Sequence, residues 1–284
     1  MKSQLSIGFA ALLISAAPAC SQESKVSLDV PYVPTPQPVV DAMIDMVDLK
    51  DGDVVWDLGC GDGRMVITAA KRKDIRGVGV DLNPQRIKES KENAKKAGVE
   101  DEVNFRVANL FETDFSDATV LTMYLLQSVN LKLRPVILRD LQPGARIVSN
   151  SFTMGEWTPD ESRQTDEQII SRNLYHWVVP ANISGEWSWE MAGNTEELDI
   201  DQKFQFFSGT ATVDGKEHEF QSGKVNGKEV AFVIKVPGRE ELRYQAALEG
   251  DILTGTINGE PWKATRKAGT KVPLEPVATT ARKK

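Results

Sequence analysis

Asp57-Leu58-Gly59-Cys60-Gly61-Asp62-Gly63 follows the apolar pair Val54-Val55, leads into a helical pattern from Met65 to Ala70, and is answered downstream by Val78-Gly79-Val80-Asp81. A strand, a glycine turn, a helix and a second strand ending in a carboxylate form half of a nucleoside-binding α/β unit. The glycines turn the chain sharply and let its backbone approach a ligand that a Cβ would hold off. A hydrophobic core alone asks for none of this spacing, so the stretch points to a bound molecule.

Dinucleotide sites favour G-x-G-x-x-G, whose third glycine lets helix and strand pack closely while the helix N-terminus faces a pyrophosphate. Here the glycines are Gly59, Gly61 and Gly63, and Arg64 occupies the third-glycine position. S-adenosyl-L-methionine (SAM) carries no phosphate. Its amino-acid end asks for a turn of backbone groups and a carboxylate for the ammonium, which Asp57 supplies at the strand end. Asp81 is then placed to accept both ribose hydroxyls, since an ionised carboxylate has two acceptor oxygens.

At this point the chain resembles the class I SAM-dependent methyltransferases, whose first motif corresponds to Asp57 through Gly63 and whose second ends at Asp81. The resemblance narrows further on Pro31-Tyr32-Val33-Pro34-Thr35-Pro36, on Arg64 after the glycine turn, and on Tyr124-Leu125-Leu126. These stretches are similar to a bacterial methyltransferase group related to the mitochondrial protein-lysine methyltransferases and, more distantly, to the Dot1-type histone lysine methyltransferases. Roughly residues 30 to 160 are covered. The resemblance implies a Rossmann-like sheet with helices on both faces, SAM as cofactor, and a methyl acceptor for which protein lysine is the leading class.

It also implies site residues. Tyr32 and Thr35 would fold over the cofactor, where an aromatic face attracts a sulfonium. Asn109 and Leu110 would lie near the adenine. Tyr124, with Gln127, would end the strand from which the acceptor is met, and Tyr124 is the candidate catalytic residue, lining a lysine channel or orienting the amine. Asn150 and Trp157 are further candidates. Each has a structural alternative: Asp57 as a turn residue, Asp81 as a cap for the helix near Asn83, Asn109 and Leu110 as ordinary loop, Tyr32 as an anchor, Tyr124 as core.

The 284 residues are 40% hydrophobic and 26% charged, as expected of a globular chain long enough for one large or two modest domains. A formal charge of −7 argues against general nucleic-acid affinity, which shows as a basic domain or stripe. Lys2, the apolar run Leu5 to Ala17 and Ala17-Pro18-Ala19 read as a secretory signal over residues 1–19, with a run too short to span a membrane comfortably. Periplasmic or envelope location follows, or cytoplasmic if the signal is spurious. Membrane attachment would require lipidation of Cys20, against which Ala17 and Pro18 depart from a Leu-rich lipobox. Export conflicts with SAM, which is made in the cytosol. The two cysteines, Cys20 and Cys60, make no disulfide framework, and no His and Cys set has metal-ligand spacing. Cys60 in the glycine turn reads as a packing choice. Oligomeric state is not legible.

Residues 20–34 form an extended lead-in. Thr35 is expected as N-cap with Pro36 at the first helical position, and Val39, Val40, Met43, Ile44 and Val47 recur on one helical face. Asn83-Pro84 start a helix that Gly98 stops. Strand and helix alternate through Val103 to Val107, Thr119 to Leu126, a helix around Pro135 to Leu141, and Arg146 to Phe152, which implies a mostly parallel sheet over residues 35–182. Ile169 to Val179 reads as its antiparallel edge. Asp214-Gly215, Asn226-Gly227, Gly250-Asp251 and Asn258-Gly259 then mark hairpins, so residues 183–266 are expected to form an antiparallel β-meander or small barrel, with residues 267–284 a disordered tail.

Three functions compete at this level. The first is a SAM-dependent methyltransferase. The second is an exported ligand- or envelope-binding protein on a non-catalytic scaffold, which requires a cavity lined by Phe204, Phe206 or Phe232. The third, a nicotinamide-dependent oxidoreductase, requires pyrophosphate contacts that Arg64 obstructs.

Overall fold

A computed structural model describes residues 32–165, 171–191 and 193–275. The expected signal, Cys20, most of the lead-in and the basic end Ala281-Arg282-Lys283-Lys284 lie outside the described residues. Strands β1 (Val54–Leu58), β2 (Arg76–Asp81), β3 (Val103–Val107), β4 (Val120–Met123), β5 (Arg146–Asn150), β6 (Glu161–Gln164) and β7 (Asn173–Val178) form one sheet in the order β3-β2-β1-β4-β5-β7-β6. The first five run parallel, β7 pairs antiparallel with β5, and β6 pairs antiparallel with β7. The order reverses between β1 and β4, and ligands of open α/β sheets bind at such a reversal, beyond the strands' carboxyl ends. Leu58 pairs with both Val80 and Met123, so β1 and β4 end level and β2 runs one residue further, to Asp81.

Strand alternation sends side chains to two separate cores. Val55, Val120 and Val148 meet helix α1 (Gln37–Met46) through Val39, Val40, Met43 and Ile44. Trp56, Leu58, Leu121, Met123 and Ile147 meet helix α4 (Gln127–Asp140) through Val129, Leu133 and Ile137. Helices α2 (Arg64–Arg72) and α3 (Pro84–Ala97) complete the layers, α3 with Asn83 as N-cap, its side chain accepting from the Gln85 N–H, and Gly98 as a left-handed C-cap.

Several boundaries differ from expectation. Helix α1 begins at Gln37 with Pro36 as N-cap, because Pro36 is extended (ψ 143°) and the Thr35 carbonyl is engaged by Arg64. Helix α4 starts well before Pro135 and carries that proline inside it. A proline there costs about 3 kcal/mol, whereas burying Val129, Leu133 and Ile137 contributes about 1.5–3 kcal/mol each. Strand β4 stops at Met123, leaving Tyr124 to Leu126 as the irregular link to α4. Strand β7 is not the edge. That place belongs to β6, whose Glu-Ser-Arg-Gln run is exposed throughout and has no apolar alternation to announce it.

Strands β8 (Gly185–Met191), β9 (Asn194–Lys203), β10 (Phe206–Val213), β11 (Lys216–Asn226), β12 (Glu229–Ile234), β13 (Leu242–Glu249), β14 (Ile252–Ile257) and β15 (Glu260–Arg266) form a closed antiparallel barrel. Closure is made by Thr265 and Arg266 of β15 pairing with Ser188 and Trp187 of β8. The expected turn pairs sit at its hairpins, with Asp214 (φ 51°), Gly215 (φ 69°), Asn258 (φ 50°) and Gly259 (φ 89°) left-handed as tight hairpins require. Its interior is filled by aromatic rings: Phe232 stacks on Tyr244 at 4.4 Å, and Trp189 meets Trp262 edge-on at 5.6 Å. The cavity required by the binding-protein reading is not formed by its named residues. Phe232 is inside this packed cluster, Phe206 is exposed, and Phe204 belongs to the core of the α/β layer.

Barrel and sheet are joined. Phe204 stacks on Trp157 (6.0 Å, 16°), Gln205 Nε2 donates to the Thr158 carbonyl (2.7 Å), and the Ala181 N–H donates to the Gly227 carbonyl (2.7 Å). The expected disordered tail is instead ordered over residues 267–275. The Val272 N–H donates to Ser184 Oγ (3.0 Å), and Glu275 takes a two-pronged ion pair from Arg134 of α4 at 2.7 and 2.5 Å.

Candidate active site

The turn after β1 is built from three left-handed glycines, Gly59 (φ 81°), Gly61 (φ 53°) and Gly63 (φ 80°). The Gly59 and Cys60 N–H groups both donate to the Val80 carbonyl at 2.9 Å, tying the turn to β2. Asp81 completes the tie: its carboxylate accepts the Gly61 N–H (3.0 Å) and the Asn83 N–H (2.8 Å). A Cβ on Gly61 would lie 2.5 Å from the Tyr32 ring, so the ring rests directly on this backbone.

Beside the turn lies a cavity of about 270 Å³. Tyr32, Thr35, Asp57, Gly59, Gly61, Asp81, Leu110 and Tyr124 all line it. Two expected residues are not brought to it. Asn109 turns back on its own loop, accepting the Phe111 N–H (3.0 Å) and donating to Glu112 (3.1 Å), as a short amide side chain readily does. Gly63 serves helix packing, since a Cβ there would meet Phe105 at 2.7 Å and Ser90 at 2.8 Å. Of the further candidates, Gln127 is exposed at the start of α4, and Asn150 and Trp157 are fully buried, Trp157 between Trp177 and Phe204.

Asp57 is 6% exposed, and its carboxylate accepts the Thr122 hydroxyl (2.8 Å). Burial pushes its pKa up to about 7; the Thr122 bond opposes this, and the charges of Asp81 and Asp62 add to it. No cation among the described residues pairs with it. Burial, then Asp57 and Asp81, push the Cys60 thiol well up, so it stays protonated and acts as packing. Burial would also raise Asp62, but its bonds and charge pairing with Arg64 hold it below the usual carboxylate range.

Sequence reasoning missed four contributors. Arg64, which the sequence marks as an obstacle to pyrophosphate and as part of the family resemblance but not as a site residue, grips Asp62 through Nε (2.9 Å) and Nη2 (2.5 Å) and donates from Nη1 to the Thr35 carbonyl (2.6 Å). Its signal was the Asp-Gly-Arg spacing, which puts acid and guanidinium on one turn. Asp62 lies on the same spacing. Arg86 lies 4.4 Å over the Tyr32 ring, and Phe152 stacks on Tyr124 at 6.2 Å while lining the cavity. These last two had no local signal.

The ANTKMT methyltransferase domain family matches residues 57–161, ending before the barrel. A protein-lysine N-methyltransferase of Saccharolobus islandicus is 42% identical over 151 residues, 53% of this chain and 94% of that protein. The adenine nucleotide translocase lysine N-methyltransferase of Mus musculus is 30% identical over 132 residues, 46% of this chain and 57% of its own length. The chain thus spans nearly all of the Saccharolobus protein and little more than half of the mouse one. A crystal structure of an RNA methyltransferase from Salinibacter ruber with S-adenosyl-L-homocysteine (SAH) is 50% identical, with a TM-score of 0.50, covering 53% of this chain and 96% of that one.

Proposed function

The chain belongs to the SAM-dependent methyltransferases, and from that premise we propose that it methylates lysine side chains of a protein. The cavity fits the cofactor on its own chemistry. A buried carboxylate without a cation, Asp57, suits an ammonium. Asp81 keeps further lone pairs after its two backbone bonds and suits a ribose diol, and Leu110 offers an apolar surface to a flat base.

When bound, SAM supplies a methyl group on a positively charged sulfur. The protein's part is positional: holding an acceptor in line contributes on the order of 7–11 kcal/mol. A lysine must arrive neutral, and desolvation lowers an ammonium's pKa. The observation that carries the acceptor reading is the Tyr124–Phe152 ring pair (6.2 Å, 27°) walling the same cavity as Asp57. Similarity to lysine methyltransferases supports it, and the net charge of −7 weighs against RNA.

The test is transfer of tritium from methyl-labelled SAM to an extract containing both protein and RNA. Protease-sensitive, RNase-resistant label that hydrolyses to methyllysine is expected; label in RNA overturns the lysine reading. Export through residues 1–19 forms part of the proposal, and fractionation of cells expressing a C-terminally tagged chain checks it.

A further inference from the structure

Tyr32-Val33-Pro34-Thr35 is neither helix nor strand, and makes no backbone-to-backbone hydrogen bond to other described residues. Yet all four residues line the cavity, with Val33 50% and Tyr32 39% exposed to solvent. A wall of that kind is held by side chains. The Arg64 guanidinium is oriented by Asp62 through two donors, which leaves Nη1 aimed at the Thr35 carbonyl at 2.6 Å. Asp62 is fixed in turn, its carbonyl accepting Asn93 Nδ2 at 3.0 Å. At the other end of the segment, Arg86 lies over the Tyr32 ring, which rests on Gly61.

We propose that Arg64 is a positioning residue that latches Tyr32–Thr35 as a lid over the cofactor, and so sets how slowly SAM and SAH leave. This rests on the SAM site assigned above and extends it to the control of exchange. The ring of Tyr32 touches the glycine turn itself, so a molecule entering or leaving must lift the lid and break the bond to Thr35, which re-forms once the molecule has passed. A planar guanidinium can hold Asp62 with one edge and the lid with another donor, a division of labour that a lysine ammonium does not reproduce.

The experiment is a chase of bound tritiated SAM with excess unlabelled SAH, on the full chain and on Arg64→Ala and Arg64→Lys. Loss of one charge-assisted hydrogen bond predicts dissociation about 10-fold faster in Arg64→Ala. Arg64→Lys is expected to fall between it and the wild type. Merely structural damage lowers the amplitude of the chase by reducing binding-competent protein; loss of the latch raises the rate constant of the molecules that bind. Equal rate constants in the three proteins overturn the latch. If Arg64→Ala does not fold, Arg64→Lys alone carries the test, and a wild-type rate constant in it overturns the proposal equally. Failure of the wild type to bind SAM would overturn the cofactor assignment itself, an outcome distinct from binding with an insensitive rate.

Discussion

At Asp57 the sheet buries a carboxylate beside Thr122 with no cation among the described residues to neutralise it. Its pKa is raised from an unfolded value of about 3.9 to about 7, chiefly by burial. A carboxyl shifted upward contributes stability that is complete below the unfolded value and is lost as pH rises through the folded one. Thermal unfolding of the unliganded protein should therefore show this contribution declining between pH ~4 and ~7, and Asp57→Asn should remove that decline. Binding has the opposite sign. An ammonium selects the ionised form, so SAM affinity should rise with pH, by up to about tenfold per unit below pH ~7. Calorimetry in two buffers of different ionisation enthalpy should detect proton release that Asp57→Asn abolishes. Gly61→Ala acts sterically: a Cβ 2.5 Å from Tyr32 on backbone at φ 53° should lift the ring and weaken SAM binding by about 10-fold or more.

Among the elements, α4 shows tertiary burial overriding local preference. Val129, Leu133 and Ile137 recur four apart and face one core, which keeps the helix continuous through Pro135. Leu133 is fully buried, so Leu133→Ala should cost about 2–5 kcal/mol in denaturant unfolding while leaving the cavity residues in place. By contrast, the hairpins of the barrel follow local chemistry. Asp214-Gly215 and Asn258-Gly259 adopt left-handed backbone that few other residues tolerate, so these turns could be placed from the residues alone.

For the whole molecule, the barrel's contribution lies where it meets the sheet. Its Phe204-Gln205 turn rests on Trp157 and Thr158, in the loop that also carries Phe152 to the cavity. Phe204→Ala should slow methyl transfer to acceptor more than it weakens SAM binding, because Asp57, Asp81 and the glycine turn lie elsewhere. Label transfer compared with SAM calorimetry checks this, and equal losses in both would reject it. The Arg134–Glu275 pair adds a second tie, linking the chain's last described residue to α4.

Features legible from residues alone are those whose cause is local. Left-handed glycines after a strand, an acid closing the next strand and turn pairs spaced along alternating strands each act within a few residues, so the sheet, the glycine turn, Asp57, Asp81 and the meander could be read directly. Strand β6 has no apolar alternation to mark it as a strand, while closure of that meander and the order in residues 267–275 depend on partners far along the chain. So does the site's finer make-up. Arg64 reaches Thr35 across 29 residues, and Arg134 reaches Glu275 across 141. Asn109 had a plausible position but found a nearer partner, and Gly63 answers to Phe105 and Ser90 rather than to a ligand. Backbone conformation is chosen by each residue's own sterics, whereas contacts between distant side chains exist only once packing has brought their elements together.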